Sequence, residues 1–230
     1  MGVVTIHGYQ IPEGKTAQQA VEGVSKMLEC LGGVRSGTFT VDCESFHSTP
    51  NVSGLQQTKT LNLLHDSEYP ASAFALLENG MCLVSSSSFD TLLNNLSTFY
   101  LPKKSSRMES KGPKYLLGDF VVKVGSVSMG SSFRGILVEV EYTPCVVPSH
   151  CWDLLKEFMG SFMPPPRDPH SYLQGKMNDL FNPVDAIHQY NEHFNSLRKQ
   201  TATSLGFTSI NTTLLNTSLT SSPAMIKTER

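Results

Sequence analysis

Two pairs of carboxylates stand in stretches that alternate polar and apolar residues. Asp42 and Glu44 lie in "GTFTVDCESF", and Glu139 and Glu141 lie in "RGILVEVEY". Because side chains of a β-strand point to opposite faces in turn, each pair projects from a single face. Two neighbouring carboxylates can hold a hard cation such as Mg²⁺ and leave positions open for a phosphate. The pairs therefore support one catalytic hypothesis, a metal-dependent phosphohydrolase.

The surroundings of these carboxylates favour a simpler interpretation. A polyphosphate site needs several basic side chains on the same face, and these strands carry little beyond Lys123. Half-buried strands carry polar residues on their solvated face, which accounts for the spacing without a ligand. Lys123, in the preceding strand, is then a cross-strand partner for a glutamate. We expect solvated carboxylates, no metal or cofactor, and no catalytic residue.

Composition and the remaining motifs offer no competing chemistry. The chain has 18 basic and 20 acidic residues and a net charge of -2, so it has no overall field that would attract nucleic acid or an acidic membrane. His188 and His193 are five residues apart, which misses the spacing that puts two imidazoles on one helical face. The five cysteines include no CxxC pair and indicate reduced thiols of an intracellular protein.

Helices and strands must position these residues, and their hydrophobic periods are distinct. Helices are predicted over "TAQQAVEGVSKMLECLGG" and "SFDTLLNNLSTFYLP", from Ser149 to "PPPRDP", and from Pro183 to Lys199. Strands are predicted over "GTFTVDCESF", "TLNLLH", both arms of "FALLENGMCLV", "DFVVKVGSVSM" and "RGILVEVEY", while "KKSSRMESKG" is a charged connection or an edge strand. This order predicts an α+β fold, an antiparallel β-barrel or curved sheet clad by α-helices.

The chain is expected to form one folded domain with a tail. Residues 1–200 carry the periodic patterns, whereas residues 201–230 are rich in serine and threonine and have no such pattern. We therefore predict a helix-flanked β-barrel domain over 1–200 and a disordered tail over 201–230.

One strand face is the candidate contact surface. The strand after Asp119 has apolar residues on both faces, which predicts burial on both sides by a barrel interior, by helices or by a partner chain. The face opposite the expected core carries the side chains that we predict to be partner-facing: Val121, Lys123, Leu137, Glu139 and Glu141.

Several blocks of the sequence resemble the family of the twentieth subunit of the Mediator head module, also called the TRF-proximal protein family. The blocks are "GTFTVDCESFH", "HDSEYPASAFALLENG", "DFVVKVGSVSMG", "RGILVEVEYTPCVVPSHCWDLLKEFMGSF" and "RKQ" at 198–200. The departures from the family lie in the loop after His47, in the connection over 164–182 and in the tail.

The resemblance implies a fold and a role. The fold would be a helix-flanked β-barrel similar to that of tunnel triphosphatases. The role would be that of a non-enzymatic scaffold subunit in the nucleus, paired with the related eighteenth subunit, tethered through the eighth, and bridging regulators to RNA polymerase II. It implies no direct contact with nucleic acid, membrane or a small-molecule substrate.

Overall fold

A computed structural model describes residues 2–49, 59–104 and 106–210, with side chains described as far as Gln200. The strands of the described residues are β1 (Val3–Tyr9), β2 (Val34–Ser48), β3 (Thr60–Asp66), β4 (Ser72–Leu77), β5 (Cys82–Ser86), β6 (Tyr100–Pro102), β7 (Met108–Leu117), β8 (Phe120–Met129) and β9 (Ser132–Tyr142). The helices are α1 (Ala17–Cys30), α2 (Phe89–Asn95), α3 (Pro148–Gly160), α4 (Ser171–Gln174) and α5 (Pro183–Ile210). No helix in this part of the chain is long and apolar enough to cross a membrane.

All nine strands of the described residues join one antiparallel sheet in the order β1-β9-β8-β7-β2-β3-β4-β5, with β6 paired to β2. The predicted α+β class and antiparallel sheet are therefore confirmed. Closure into a barrel is not: β1 and β5 end the order and do not pair with each other within the described residues. The sheet is therefore open, with β1 and β5 at the two ends of its main strand order.

Helices cover both faces of the central strands. On one face, α1 and α3 bury an apolar cluster with alternate residues of β8 and β9, including Val122, Val124, Val138 and Val140. On the other face, α5 packs on residues of β1, β2, β4 and β9 through Ile187, Tyr190 and Phe194, which are at most 1% exposed: the residues beneath it include Ile6, Val41, Phe74 and Leu137. The predicted burial of this sheet on both sides is confirmed, and the chain's own helices provide it.

Local signals set several element boundaries. Thr16 and Gln19 form the predicted capping box at the start of α1, because each side chain accepts from the other residue's backbone N–H. Asn79 and Gly80 form the turn between β4 and β5, with Gly80 at φ +82°. The helix predicted over "SFDTLLNNLSTFYLP" is shorter than expected: it ends at Asn95, and Tyr100–Pro102 is β6.

Three elements, β1, β7 and α5, differ from what the sequence predicts. The sequence does not predict β1 as a strand. The second half of "KKSSRMESKG" belongs to β7, an internal strand between β8 and β2 rather than a connection or an edge strand. α5 continues to Ile210, past the predicted start of the tail. Residues 211–230 lie outside the described residues, so the tail stays a prediction.

Candidate functional site

The two glutamates of β9 lie on the face of the sheet that α5 covers. Ile136, Val138 and Val140 point toward α1 and α3, as the alternation predicts, while Leu137 points toward α5. Glu139 follows the alternation of Leu137 and is only 4% exposed. The expectation that its carboxylate is solvated is therefore wrong, because a helix that begins over forty residues later in the chain packs above it.

Glu139 is held by two side chains of the chain itself. Its Oε1 lies 2.9 Å from Nζ of Lys123, and the hydroxyl of Tyr190 donates a 2.6 Å hydrogen bond to its Oε2. Lys123 stands directly opposite Glu139 on β8, so the predicted cross-strand pair is confirmed. Burial of Lys123 opposes its charge, but the carboxylates of Glu139 and Asp66 outweigh burial and raise the pKa of Lys123. The ammonium therefore stays charged inside the protein.

Further carboxylates extend this buried polar cluster. Burial raises the pKa of Asp66 to about 6, the charge of Glu139 adds to that rise, and Lys123 opposes it. Glu68 lies at the outer side, where its carboxylate is 2.8 Å from Nζ of Lys114 and 4.0 Å from Nζ of Lys123. Lys123 contacts both Glu139 and Glu68, and Glu68 contacts both lysines. The cluster is therefore an ion-pair network that joins β7, β8, β9 and the turn after β3.

Of the other three acidic residues in the two pairs, Glu141 and Asp42 are also bonded to groups of the same chain. Glu141 accepts a 2.6 Å hydrogen bond from the backbone N–H of Gly2. Asp42 is bonded to Nδ1 of His65 at 3.1 Å and to Arg107 at 2.8 Å. Glu44 follows Asp42 on the same strand face and is half-buried.

The structure does not bring the two acidic pairs together. Val41 and Cys43 of β2 point toward α5, so Asp42 and Glu44 point to the opposite face from Glu139. β7 and β8 also separate β2 from β9, a distance of three strand spacings or roughly 14 Å. Among the described residues, no three histidine, cysteine, aspartate or glutamate side chains are placed to hold a metal ion. The metal-dependent phosphohydrolase hypothesis gains no support.

The strand face predicted to meet a partner is largely occupied by α5. Lys123, Leu137 and Glu139 are buried within the chain, at 3 to 4% exposure. Val121 and Glu141, near the end of the same face, are half-buried. Contact of a partner with Val121 and Glu141 stays a prediction, while the middle of the face is internal.

α5 also seals one edge of the sheet, which the sequence patterns did not indicate. The outward backbone groups of β1 bind side chains of α5: Gln189 accepts from the N–H of Ile6 at 3.0 Å and donates to the carbonyl of Val4 at 3.1 Å. His193 donates from Nε2 to the carbonyl of Ile6 at 2.9 Å. Gln189 is fully buried, and its amide takes the place that a neighbouring strand would have.

Three histidines gather where α4, α5 and β1 meet. The rings of His170 and His193 lie 4.8 Å apart, and His7 bonds Oγ1 of Thr5 through Nε2 at 2.8 Å. Burial, followed by the neighbouring imidazoles, lowers the pKa of His7 and of His170 to about 4. Burial also lowers the pKa of His193. These imidazoles are therefore neutral near pH 7 and act as uncharged packing and hydrogen-bonding groups.

The fold and this set of contacts define the class of protein: an α+β protein with an open antiparallel sheet clad by helices, whose buried Lys123 and Glu139 pair with each other. Residues 1–195 match the family described as TATA-binding related factor (TRF) of subunit 20 of Mediator complex. The chain belongs to this family, which confirms the resemblance noted from the sequence.

The sequence of this chain also aligns with curated relatives along nearly their whole length. The chain is 48% identical over 203 residues to "Mediator of RNA polymerase II transcription subunit 20" of Gallus gallus, covering 87% of this chain and 96% of that protein. It is 46% identical to the Homo sapiens protein of the same name over the same shares, and 42% identical over 215 residues to the Aedes aegypti protein, with 87% and 96% covered. A solved structure from Pyrococcus horikoshii OT3 covers 70% of this chain and 90% of its own, with a TM-score of 0.42 and 10% identity.

Proposed function

We propose that this chain is a non-enzymatic scaffold subunit of a Mediator complex, located in the nucleus and acting in transcription by RNA polymerase II. One observation carries the proposal: identity of 46 to 48% with subunit 20 relatives over 96% of their length. The engagement of Glu139, Glu141 and Asp42 by groups of the same chain supports a role without catalysis.

The finer proposal concerns neighbours within that complex. From the family resemblance, we propose that the chain pairs with the related eighteenth subunit, is tethered through the eighth, and helps to bridge regulators to RNA polymerase II. Half-buried Val121 and Glu141 remain candidates for such contacts.

Replacement of a relative in cells tests the complex membership. A tagged copy of this chain, expressed in human cells that lack their own subunit 20, is expected to be nuclear and to co-purify Mediator subunits. The tag alone is the control. Recovery of a soluble, folded chain without any Mediator subunit would contradict the proposal. A binary pull-down with the eighteenth subunit then tests the finer partner assignment separately, because it can fail while complex membership holds.

An assay of the purified chain tests the absence of catalysis. With a nucleoside triphosphate and Mg²⁺ or Mn²⁺, phosphate release is expected to equal that of buffer. Hydrolysis by the wild-type chain that disappears in a folded Glu139→Gln variant would instead establish the phosphohydrolase.

A further inference from the structure

The two strands at the ends of the main sheet order, β1 and β5, differ in what covers their outer edges. At β1, Gln189 and His193 of α5 bond three outward backbone groups: the N–H and carbonyl of Ile6 and the carbonyl of Val4. At the opposite edge, β5 pairs with β4, and the described part of the chain supplies no second neighbour for it. An open strand edge presents unpaired N–H and C=O groups that can template another strand.

The hydrogen bonds at the two ends of β5 reveal which of its backbone groups point outward. The N–H of Leu77 donates to the carbonyl of Met81, and the N–H of Ser87 donates to the carbonyl of Ala71, both toward β4. Backbone groups alternate in direction along an antiparallel strand. The N–H and C=O groups of Cys82, Val84 and Ser86 therefore point away from β4, along the free edge.

The side chains of β5 leave this edge apolar and unguarded. Leu83 is 54% exposed and Val84 is 52% exposed, and they point to opposite faces of the sheet. Met81, in the preceding turn, is 62% exposed. Natural edge strands are commonly guarded by lysine, proline or a bulge, and "CLVSS" contains neither residue and pairs with β4 in unbroken register.

The acidic charge around β5 favours one kind of added strand over another. Residues 66–102 contain no lysine or arginine. Glu78 precedes the strand in the turn, and Asp90 follows it in the first turn of α2. A second copy of the chain would bring the same acidic residues to the contact, whereas a strand with basic flanks would complement them.

We propose that the outer edge of β5 is a docking site for an extended segment of another Mediator subunit, apolar in its middle and basic at its ends, which adds as the next antiparallel strand. Main-chain hydrogen bonds to Cys82, Val84 and Ser86 would give affinity, and Leu83 and Val84 would give apolar contact on the two faces. This inference rests on the proposed function, since it names a contact surface within that complex.

Hydrogen exchange of the assembled complex tests the site directly. Amide exchange is measured by mass spectrometry for the free chain and for the chain incorporated into Mediator. The amides of Cys82, Val84 and Ser86 are expected to exchange at least tenfold more slowly in the complex. Equal exchange in both states, with incorporation intact, would overturn the docking site and leave the proposed function standing. Failure of the wild-type chain to incorporate would overturn both.

A matched pair of variants adds a second readout. Val84→Lys places a guarding charge on the free edge that repels a basic segment, and Val34→Lys makes the same change at the start of β2, where Val34 is 66% exposed. Val84→Lys is expected to lower incorporation at least tenfold, and Val34→Lys less than twofold. Equal incorporation of the two folded variants would overturn the site. Self-association of the wild-type chain in sedimentation, lost in Val84→Lys, would overturn the assignment to another subunit. If Val84→Lys fails to fold, the exchange measurement on the wild-type chain decides.

Discussion

Tyr190 of α5 donates a 2.6 Å hydrogen bond to Oε2 of Glu139, while Nζ of Lys123 lies 2.9 Å from Oε1 of the same carboxylate. All three residues are at most 4% exposed. The contact ties a helix near the end of the domain to the centre of the sheet. It also explains how two charges are tolerated beneath α5: each has a close partner, and the spare oxygen has a donor.

Removing the charge of Glu139 is expected to destabilise the fold strongly. Glu139→Gln keeps the shape but removes the carboxylate closest to the buried Lys123 ammonium, leaving Glu68 at 4.0 Å; breaking a buried pair typically costs about 3–5 kcal/mol. The free energy of unfolding in urea at pH 7 measures it. Glu109→Gln breaks an exposed pair with Lys111, 65% exposed, and is the control, with an expected loss below about 1 kcal/mol.

A double substitution tests whether the loss of stability comes from the buried ammonium left behind or from the loss of the ion pair itself. Lys123→Met with Glu139→Leu removes both charges, and it is expected to be more stable than Glu139→Gln because no buried ammonium is left without its closest carboxylate, although the Tyr190 hydroxyl loses its acceptor in the double variant. A Glu139→Gln variant as stable as the Glu109→Gln control would contradict the importance of the buried pair.

The sealed edge of β1 gives a second prediction. Gln189→Ala leaves the N–H of Ile6 and the carbonyl of Val4 buried without partners, at a cost of about 1–3 kcal/mol for each unsatisfied group. Faster hydrogen exchange at the Ile6 amide is the specific readout. Gln18→Ala is the control, because Gln18 is an exposed glutamine that bonds Glu22 on the surface of α1, and its loss should be within about 0.5 kcal/mol. Unchanged exchange at Ile6 would argue against the seal.

The histidine cluster predicts a loss of stability in mild acid. The pKa of His7 and of His170 is about 4 in the folded chain, against 6.5 without burial. The unfolded chain therefore binds more protons between these values, so stability falls as the pH drops from about 6.5 to about 4. Asp66 acts in the opposite sense, because its folded pKa of about 6 lies above 3.8 and makes the fold take up a proton there.

Two variants test this balance by urea unfolding at fixed pH values between 7 and 4. Asp66→Asn should make the decline in stability steeper than in the wild-type chain, because the opposing proton uptake is gone. His170→Gln should make it shallower. A decline that is the same in the wild-type chain and His170→Gln would show that the imidazole of His170 is not held neutral by burial.

The features that the sequence predicted correctly depend on neighbours along the chain. The capping box of Thr16 and the Asn79-Gly80 turn are fixed within four residues. The pairing of Lys123 with Glu139 could also be predicted from the sequence, because β8 and β9 are consecutive strands. Local propensity and short connections are sufficient for such contacts.

The features that the sequence did not predict depend on distant contacts. The alternation of polar and apolar residues in β9 places Glu139 on a polar face. Whether that face is exposed to solvent or buried depends on the packing of α5, which is distant in sequence. The sequence does not mark β1 as a strand, because Val3, Val4, Thr5 and Ile6 are all buried and polar and apolar residues do not alternate there. The charges of "KKSSRMESKG" predict a connection or an edge strand, yet its second half lies in β7, where Lys111 pairs with Glu109 of the same strand.

A glycine in β7 provides the last prediction, because two strands approach too closely there for any side chain. A Cβ on Gly112 would lie 1.9 Å from the backbone carbonyl oxygen of Val124 in β8, and the regular pairing of β7 with β8 is interrupted beside it. Gly112→Ala therefore forces the backbone of an internal strand to move, at an expected cost of about 1–3 kcal/mol. Gly8→Ala in β1 is the matched control, since its Cβ meets nothing within 4 Å. Thermal unfolding of both variants measures the difference, and equal midpoints would show that β7 and β8 can separate at Gly112 without loss.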